Sequence, residues 1–309
     1  MQLYNILLSE KSAVWQALQS FRAAISKNGI WRPTEDVKFV FLCGANIQHG
    51  TPSKRRQILL NFSTRHLPHT KFFLAESIFT VLEAEGHKTN LLDIENDLSN
   101  FADFVIVVLE SESAFCELGA FAINKELRKK LIVINDYNFR KSESFINLGP
   151  VKAISEITDG KHILYYKMDK DGKFHGDSIG DVFSRLHKLL HKEPKTRRDR
   201  VVECDPNLFF TKDSLRFIHD LVFFASPISL PELSRVIKIL FSKSKDNQLQ
   251  KHLGLLCATG QIKRTEKKFY VSLYDRPFFE YYPYDIYSLI ASFKNLYFRY
   301  DSNRINAIN

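Results

Sequence analysis

The chain has 309 residues, 44% of them hydrophobic and 26% charged, with a formal net charge of +9. That composition supports a sizeable core and room for two domains, and it excludes a disordered or low-complexity chain. No apolar run reaches the length of a membrane-spanning helix, and the charge-interrupted N-terminus MQLYNILLSEKSAVWQALQSF does not read as a secretory signal.

That N-terminus instead spaces Leu7, Val14, Leu18 and Phe21 as an amphipathic helix within a segment spanning 1–34. VKFVFLCGA (37–45) reads as a first buried strand, and a helix follows from Pro52 through PSKRRQILLNFSTRHL. A short strand around KFFLAE precedes helical segments that run to Phe101. FVIVVLE (104–110) is a second long strand, and SAFCELGAFAINKELRKK a helix with Phe115, Leu118, Phe121 and Ala122 on one face. LIVIND (131–136) and HILYYKM (162–168) are further strands, closed by the helix GDVFSRLHKLLHK. β-branched runs without alternation, separated by helices, predict a parallel sheet covered on both faces: an α/β, Rossmann-like doubly wound domain over 35–192.

HKEPKTRRDR (191–200) is basic and has no apolar residue, so 193–204 reads as a basic linker or exposed edge. Residues 205–309 change pattern. Three helices, KDSLRFIHDLVFFA, SLPELSRVIKILF and DNQLQKHLGLLCATG, precede the hairpin QIKRTEKKFYVSLY, the order of a winged helix-turn-helix. Gln248, Gln250, Lys251 and His252 on the third helix, with Lys263, Arg264, Lys267 and Lys268 on the hairpin, are candidates for phosphates or base edges. A winged helix used for protein contacts fits the same order. The aromatic tail FFEYYPYDIYSLIASFKNLYFRY is expected to pack across domains or in an oligomer.

The four cysteines, Cys43, Cys116, Cys204 and Cys257, show no C-x-x-C and no histidine at ligand spacing. Neither a metal site nor a disulfide framework is expected, and the chain reads as reduced and cytoplasmic. The excess of positive charge suits a polyanionic partner without naming one. A P-loop, a G-x-G-x-x-G after the first strand, H-E-x-x-H and G-x-S-x-G are all missing. P-loop ATPase, dehydrogenase, zinc-protease and α/β-hydrolase readings are therefore disfavoured.

The stretch VVLESESAFCELGAFA (107–122) delivers a buried strand into carboxylates and hydroxyls. Ligands of an open parallel sheet bind beyond the carboxyl ends of its strands, where Glu110 and Ser113 fall. Ser113 is a candidate helix cap, and the first-turn N–H groups would face the pocket. Glu117, about one turn in, could attack or support an electron-poor sugar carbon, and it could equally just complement the helix dipole. Gly119 would let the helix approach the sheet closely.

ENDLSNFADFVIVVLESESAFCELGAFAINKELRKKLIVI resembles the core of the nucleoside 2-deoxyribosyltransferase-like superfamily. The resemblance implies that Glu117 in CELGAF is the nucleophile. It also implies an upstream acid that orients substrate, for which Glu95 and Asp97 stay open, with Glu95 preferred. Ser113-Ala114 stands where related enzymes carry Gly-Thr. Gly44 and Asn46 are further candidates for the pocket, and Asn147 could hydrogen-bond a ribose hydroxyl or the base, or simply serve as a turn or cap residue before Gly149-Pro150. Arg55 and Arg56 could reach a pyrophosphate or equally form a solvated helix face.

FLCGA, LESESAFCELGAF and KSESFINLGPV, in that order, resemble the effector proteins of bacterial retrons. That likeness implies a deoxyribosyltransferase-like domain joined to a winged-helix-like domain, cleavage of an N-glycosidic bond with NAD as substrate rather than cofactor, and a toxic role in anti-phage defence. It also implies a reverse transcriptase and its RNA-linked single-stranded DNA as partners, in an oligomeric assembly. A nucleotide-sensing, DNA-binding regulator without catalysis is the alternative reading. A phosphoribohydrolase acting on free nucleotides is a third.

Overall fold

The computed structural model describes residues 9–34, 36–47, 51–76, 95, 98–99, 101–169, 177–191 and 197–305. They form two compact units, one built between residues 37 and 194, the other joining the residues before 37 to those from 195 onward. The strands, in chain order, are β1 (Ile30–Arg32), β2 (Lys38–Cys43), β3 (Thr70–Phe73), β4 (Phe104–Val108), β5 (Leu131–Asp136), β6 (Ile163–Tyr166), β7 (Asp199–Val201), β8 (Ile228–Ser229), β9 (Ile262–Arg264) and β10 (Phe269–Ser272).

The first unit is an α/β domain around a five-stranded sheet in the order β3-β2-β4-β5-β6, with every neighbouring pair parallel. Counted within the sheet, this is 2-1-3-4-5, the flavodoxin-like doubly wound order. The strands are buried almost without interruption, as expected where helices cover both faces. On one face, Val40, Leu42, Ile106, Val108 and Ile134 pack on Leu59 and Phe62 of the Lys54–His66 helix and Leu186 of the Phe183–Leu190 helix. On the other, Phe41 meets Phe121 of the Glu112–Ile123 helix edge to face at 6.2 Å and stacks on Phe73 at 5.3 Å.

Several local expectations change. Asn124 ends the Glu112–Ile123 helix and caps a separate turn, Lys125–Arg128, by accepting from the N–H groups of Glu126 and Leu127. Phe115 is partly exposed; the buried positions of this helix are Ala114, Leu118, Phe121 and Ala122. A Cβ on Gly119 would meet no atom within 4 Å, so close helix–sheet approach is not what that glycine provides. Asn147–Val151 winds as a π-turn around Pro150, whose missing N–H suits such a widened turn.

In the second unit, helices Lys212–Ala225, Leu230–Phe241 and Asp246–Ala258 precede the antiparallel β9-β10 hairpin, and β8 adds a third strand beside β10. The Ala13–Asn28 helix belongs to this unit, burying Val14, Leu18 and Phe21. Part of the expected linker is a strand: β7 pairs antiparallel with β1.

The aromatic tail packs within its own unit. The buried carboxylate of Asp220 accepts from the N–H groups of Phe278 (2.7 Å) and Phe279 (3.0 Å) and from the Tyr281 hydroxyl (2.7 Å). Phe21, Phe224 and Tyr281 cluster beside it. Arg304 clasps buried Glu232 with two 2.8 Å bonds. No described helix is long and apolar enough to cross a membrane.

Candidate active site

The sheet order reverses between β2 and β4, so the crevice beyond their carboxyl ends is where a ligand of this architecture belongs. Gly44, Ala45 and Asn46 leave β2 there, and Glu110 follows β4.

Two arginines at the start of the Lys54–His66 helix organise this end. Arg56 is 1% exposed. It donates to the Leu42 carbonyl (3.0 Å), the Ala45 carbonyl (3.2 Å) and Asn46 Oδ1 (2.7 Å), and it pairs with Glu76. Neighbouring Arg55 pairs with Glu110 at 3.0 Å and with Asp177 at 2.7 Å. Glu110 Oε1 also accepts from Ala45 N–H (3.1 Å) and Ser53 Oγ (2.6 Å). Ser53 in turn caps its helix by accepting from Arg56 N–H. Glu110 is therefore committed to shaping the loop after β2. Gly44 sits inside this arrangement at φ +154°, where a Cβ would lie 2.9 Å from Arg56 Cδ and 3.0 Å from Glu110 Oε1. Beside it, Ile47, Ser53, Lys54, Arg55, Glu110 and Asp177 line a cleft of about 280 Å³.

The second system of acids is different. Glu117 is partly buried on the Glu112–Ile123 helix, and its Oε2 has no hydrogen-bond partner among the described residues. Burial, then the charges of Glu95 and Glu76, push its carboxyl up to about 7, with Arg56 and the Cys43 thiol acting in the opposite direction. Glu95, 8% exposed, is raised as well, by burial and then by Glu76. Burial foremost, then Glu117, holds the Cys43 thiol far above its usual range, so it stays a neutral hydrogen-bond donor. Glu117 and Glu76 thus share the field of one buried guanidinium, and Glu95 acts on Glu117 beside them. Acids with displaced pKa values at a sheet switch point are the physical signature of acid–base or nucleophilic chemistry.

Glu117, Glu95, Gly44 and Asn46 are electrostatically or directly tied to one another through Arg56 and Cys43. Asp97 lies outside the described residues. Ser111, not Ser113, is the N-cap: its Oγ accepts from Ala114 N–H (3.4 Å) and lies 3.1 Å from Ser113 Oγ. The cap falls earlier because Glu112 already has helical backbone. Asn147 donates to the carbonyls of Phe139 and Ser142, each at 2.7 Å. Its buried Oδ1 has no partner among the described residues, and its π-turn packs against the Glu117 helix. The sequence alone does not single out Glu76 or Cys43, which carry no motif. It marks Arg56 only as a pyrophosphate candidate, whereas that side chain is buried among backbone carbonyls and Glu76. Among the described residues, no group of three or more His, Cys, Asp and Glu side chains could hold a metal ion.

In the second unit, Lys263, Arg264, Lys267 and Lys268 are exposed along the hairpin. Lys251 lies over the Phe210 ring at 4.5 Å. His252 is fully buried, with Nε2 3.1 Å from Ser214 Oγ and Nδ1 2.7 Å from the Gln248 carbonyl. Burial lowers its pKa to about 4. It is thus a neutral core residue, unavailable to a phosphate.

Fold and site together define a flavodoxin-like α/β protein with a carboxylate cluster at its switch point. The STM3845 retron effector protein family matches residues 52–264, and the chain belongs to that family. It is 43% identical over 302 residues to the “Retron Ec73 putative ribosyltransferase/DNA-binding protein” of Escherichia coli, covering 94% of this chain and 95% of the relative. The Escherichia coli protein that bears the corresponding name for retron Ec86 is 32% identical over 186 residues, 59% of this chain and 58% of that one.

Proposed function

We propose that this chain is the toxic effector of a retron anti-phage defence system and that it cleaves the N-glycosidic bond of NAD or a related nucleotide. The observation that carries the reading is Glu117: a half-buried carboxyl at the sheet switch point, poised near pH 7, with one oxygen unpartnered among the described residues. With ribose C1′ against it, the Glu117 carboxylate attacks C1′ or supports the oxocarbenium-like transition state, and the C1′–N bond breaks with its electron pair leaving on the base. A nicotinamide that is cationic in the substrate departs neutral and needs no proton. Water then cleaves the glycosyl ester, losing a proton and regenerating Glu117. Glu95, or Asp97, orients the sugar. Gly44 and Asn46 form the wall, Ser113 opens toward the first helical turn, and Asn147 offers its amide oxygen to a hydroxyl. Glu110 enters through the loop it holds. The ribosyltransferase name that both relatives bear supports this chemistry.

The reverse transcriptase and its RNA-linked single-stranded DNA restrain the toxicity, within an oligomeric assembly. Three helices followed by a hairpin, with a short strand between the first two helices, support a winged-helix-like second domain, and its exposed Lys263, Arg264, Lys267 and Lys268 suit a nucleic acid. Those same cations favour a second reading, a nucleotide-sensing DNA-binding regulator.

The test is a mass-spectrometric profile of NAD, nucleotides and free bases in bacteria expressing the chain or Glu117→Gln, each with and without the reverse transcriptase and its RNA. Loss of NAD with release of nicotinamide and ADP-ribose, only in the wild type and relieved by the partner, is the expected result. Depletion of another nucleotide changes the substrate alone. Unchanged pools in every condition, phage challenge included, overturn the enzyme reading in favour of the regulator.

A further inference from the structure

A cleft of about 240 Å³ in the second unit stands apart from the hairpin cations. One wall is Trp15 and Gln19, one helical turn apart on the Ala13–Asn28 helix. The other is Arg235 and Lys238, a turn apart on the Leu230–Phe241 helix, with Ile239. Arg22 fixes the spacing of the two walls: it donates from Nη1 to the Ile239 carbonyl and from Nη2 to Ser242 Oγ, each at 3.1 Å, closing the C-terminal end of the second helix. The lining thus combines an indole, an amide and three cations, with no carboxylate among the described lining residues. The cleft is smaller than a site for a whole cofactor and matches a subsite for one flat ring and its phosphate.

We propose that this cleft is a single-strand nucleic-acid subsite, in which an unstacked base lies on Trp15 and its phosphate meets Arg235 and Lys238. An indole offers a face to any base, worth a substantial fraction of single-strand affinity, while cations on the opposite wall follow the backbone. Gln19 supplies both a donor and an acceptor for a base edge. A duplex keeps its bases stacked and cannot present one to the indole, so the site selects unpaired strand. The inference rests on the nucleic-acid reading of this unit and adds to it a place and a strand preference.

Trp15 and Trp31 are the two tryptophans. In the full chain carrying Trp31→Phe, emission therefore reports on Trp15 alone. That protein is titrated with oligothymidine and with a duplex of equal length, while fluorescence anisotropy of the labelled oligonucleotide measures binding independently. The expected result is quenching by the single strand and not by the duplex. Trp15→Leu should weaken single-strand binding by about tenfold or more. The surface variant Lys238→Gln, which leaves the core untouched, should lower the salt slope by roughly 0.7. Single-strand binding with unchanged Trp15 emission and wild-type affinity in Lys238→Gln overturns the subsite and leaves the hairpin as the nucleic-acid surface. Quenching by duplex as strong as by single strand overturns the strand preference and with it the proposal. Absence of binding to either probe removes both the subsite and the nucleic-acid reading on which it rests.

Discussion

Arg56, buried, and Glu76, partly buried, form a two-pronged ion pair beneath the loop that follows β2, Nη1 to Oε1 at 2.7 Å and Nη2 to Oε2 at 3.0 Å. The same guanidinium holds two backbone carbonyls and Asn46, and it is the principal positive charge acting on Glu117. Structural and chemical roles therefore converge on one side chain. Replacing Arg56 with Met leaves Glu76 uncompensated, and removing one partner of a buried pair costs about 3–5 kcal/mol. Denaturant unfolding of Arg56→Met against wild type measures it. A loss under about 1 kcal/mol would show the pair to be solvent-relaxed.

Glu117 makes stability depend on pH in a definite direction. Its folded pKa, about 7, lies above the ordinary 4.5, so the native state binds its proton more tightly than the unfolded chain does. The associated stability is complete below pH 4.5 and is lost as pH rises through 7. Glu117→Gln should flatten the fall between those values and, at about pH 8, be more stable than wild type by roughly 2 kcal/mol. Equal pH dependence of the two proteins in thermal or urea unfolding would refute it.

If the proposed cleavage runs through the Glu117 carboxylate, its rate should rise with pH through about 7 and then level. Glu95→Gln removes the largest like-charge contribution to Glu117 and should move that rise to lower pH, even where it also costs turnover. A pH–rate profile of NAD hydrolysis that keeps its midpoint in Glu95→Gln would separate the two carboxylates.

Gly44 carries a steric prediction. At φ +154°, with Arg56 Cδ and Glu110 Oε1 at 2.9 and 3.0 Å from a Cβ, Gly44→Ala strains the backbone and displaces both partners. A loss of about 1–3 kcal/mol in unfolding free energy is expected. Gly119→Ala, whose Cβ meets nothing within 4 Å, serves as the control and should gain or stay neutral.

The hairpin cations give a salt-dependent prediction. Changing Lys263, Arg264, Lys267 and Lys268 together to Gln leaves the buried core of the unit intact. If they meet a duplex, the slope of log affinity against log salt falls by about 0.9 for each phosphate that is no longer neutralised. An unchanged slope would reassign the hairpin to protein contacts.

The sheet was legible along the chain because its strands are uniform apolar runs, a pattern that only a doubly covered parallel sheet makes favourable. Glu117 was legible because CELGAF stands at a strand-to-helix junction with a recognisable neighbourhood. The cap at Ser111 was not, since two serines two residues apart offer the same hydroxyl and only backbone angles choose between them. His252 and Lys251 are adjacent in sequence, yet one is core and the other partly exposed, because a helix turns about 100° per residue and packing decides the inward face.

The sequence by itself determined that there is an α/β domain, that helices and a basic hairpin follow it, and that an acid sits at the head of the Glu112–Ile123 helix. Only the tertiary structure decided that Glu110 is consumed by Arg55, Ser53 and the loop backbone, whereas Glu117 shares a poorly solvated crevice with Glu95, Glu76 and Arg56. The four side chains of that second group come from separate parts of the chain. Their pKa values follow from distance and desolvation, quantities that exist only once the strands have been brought side by side.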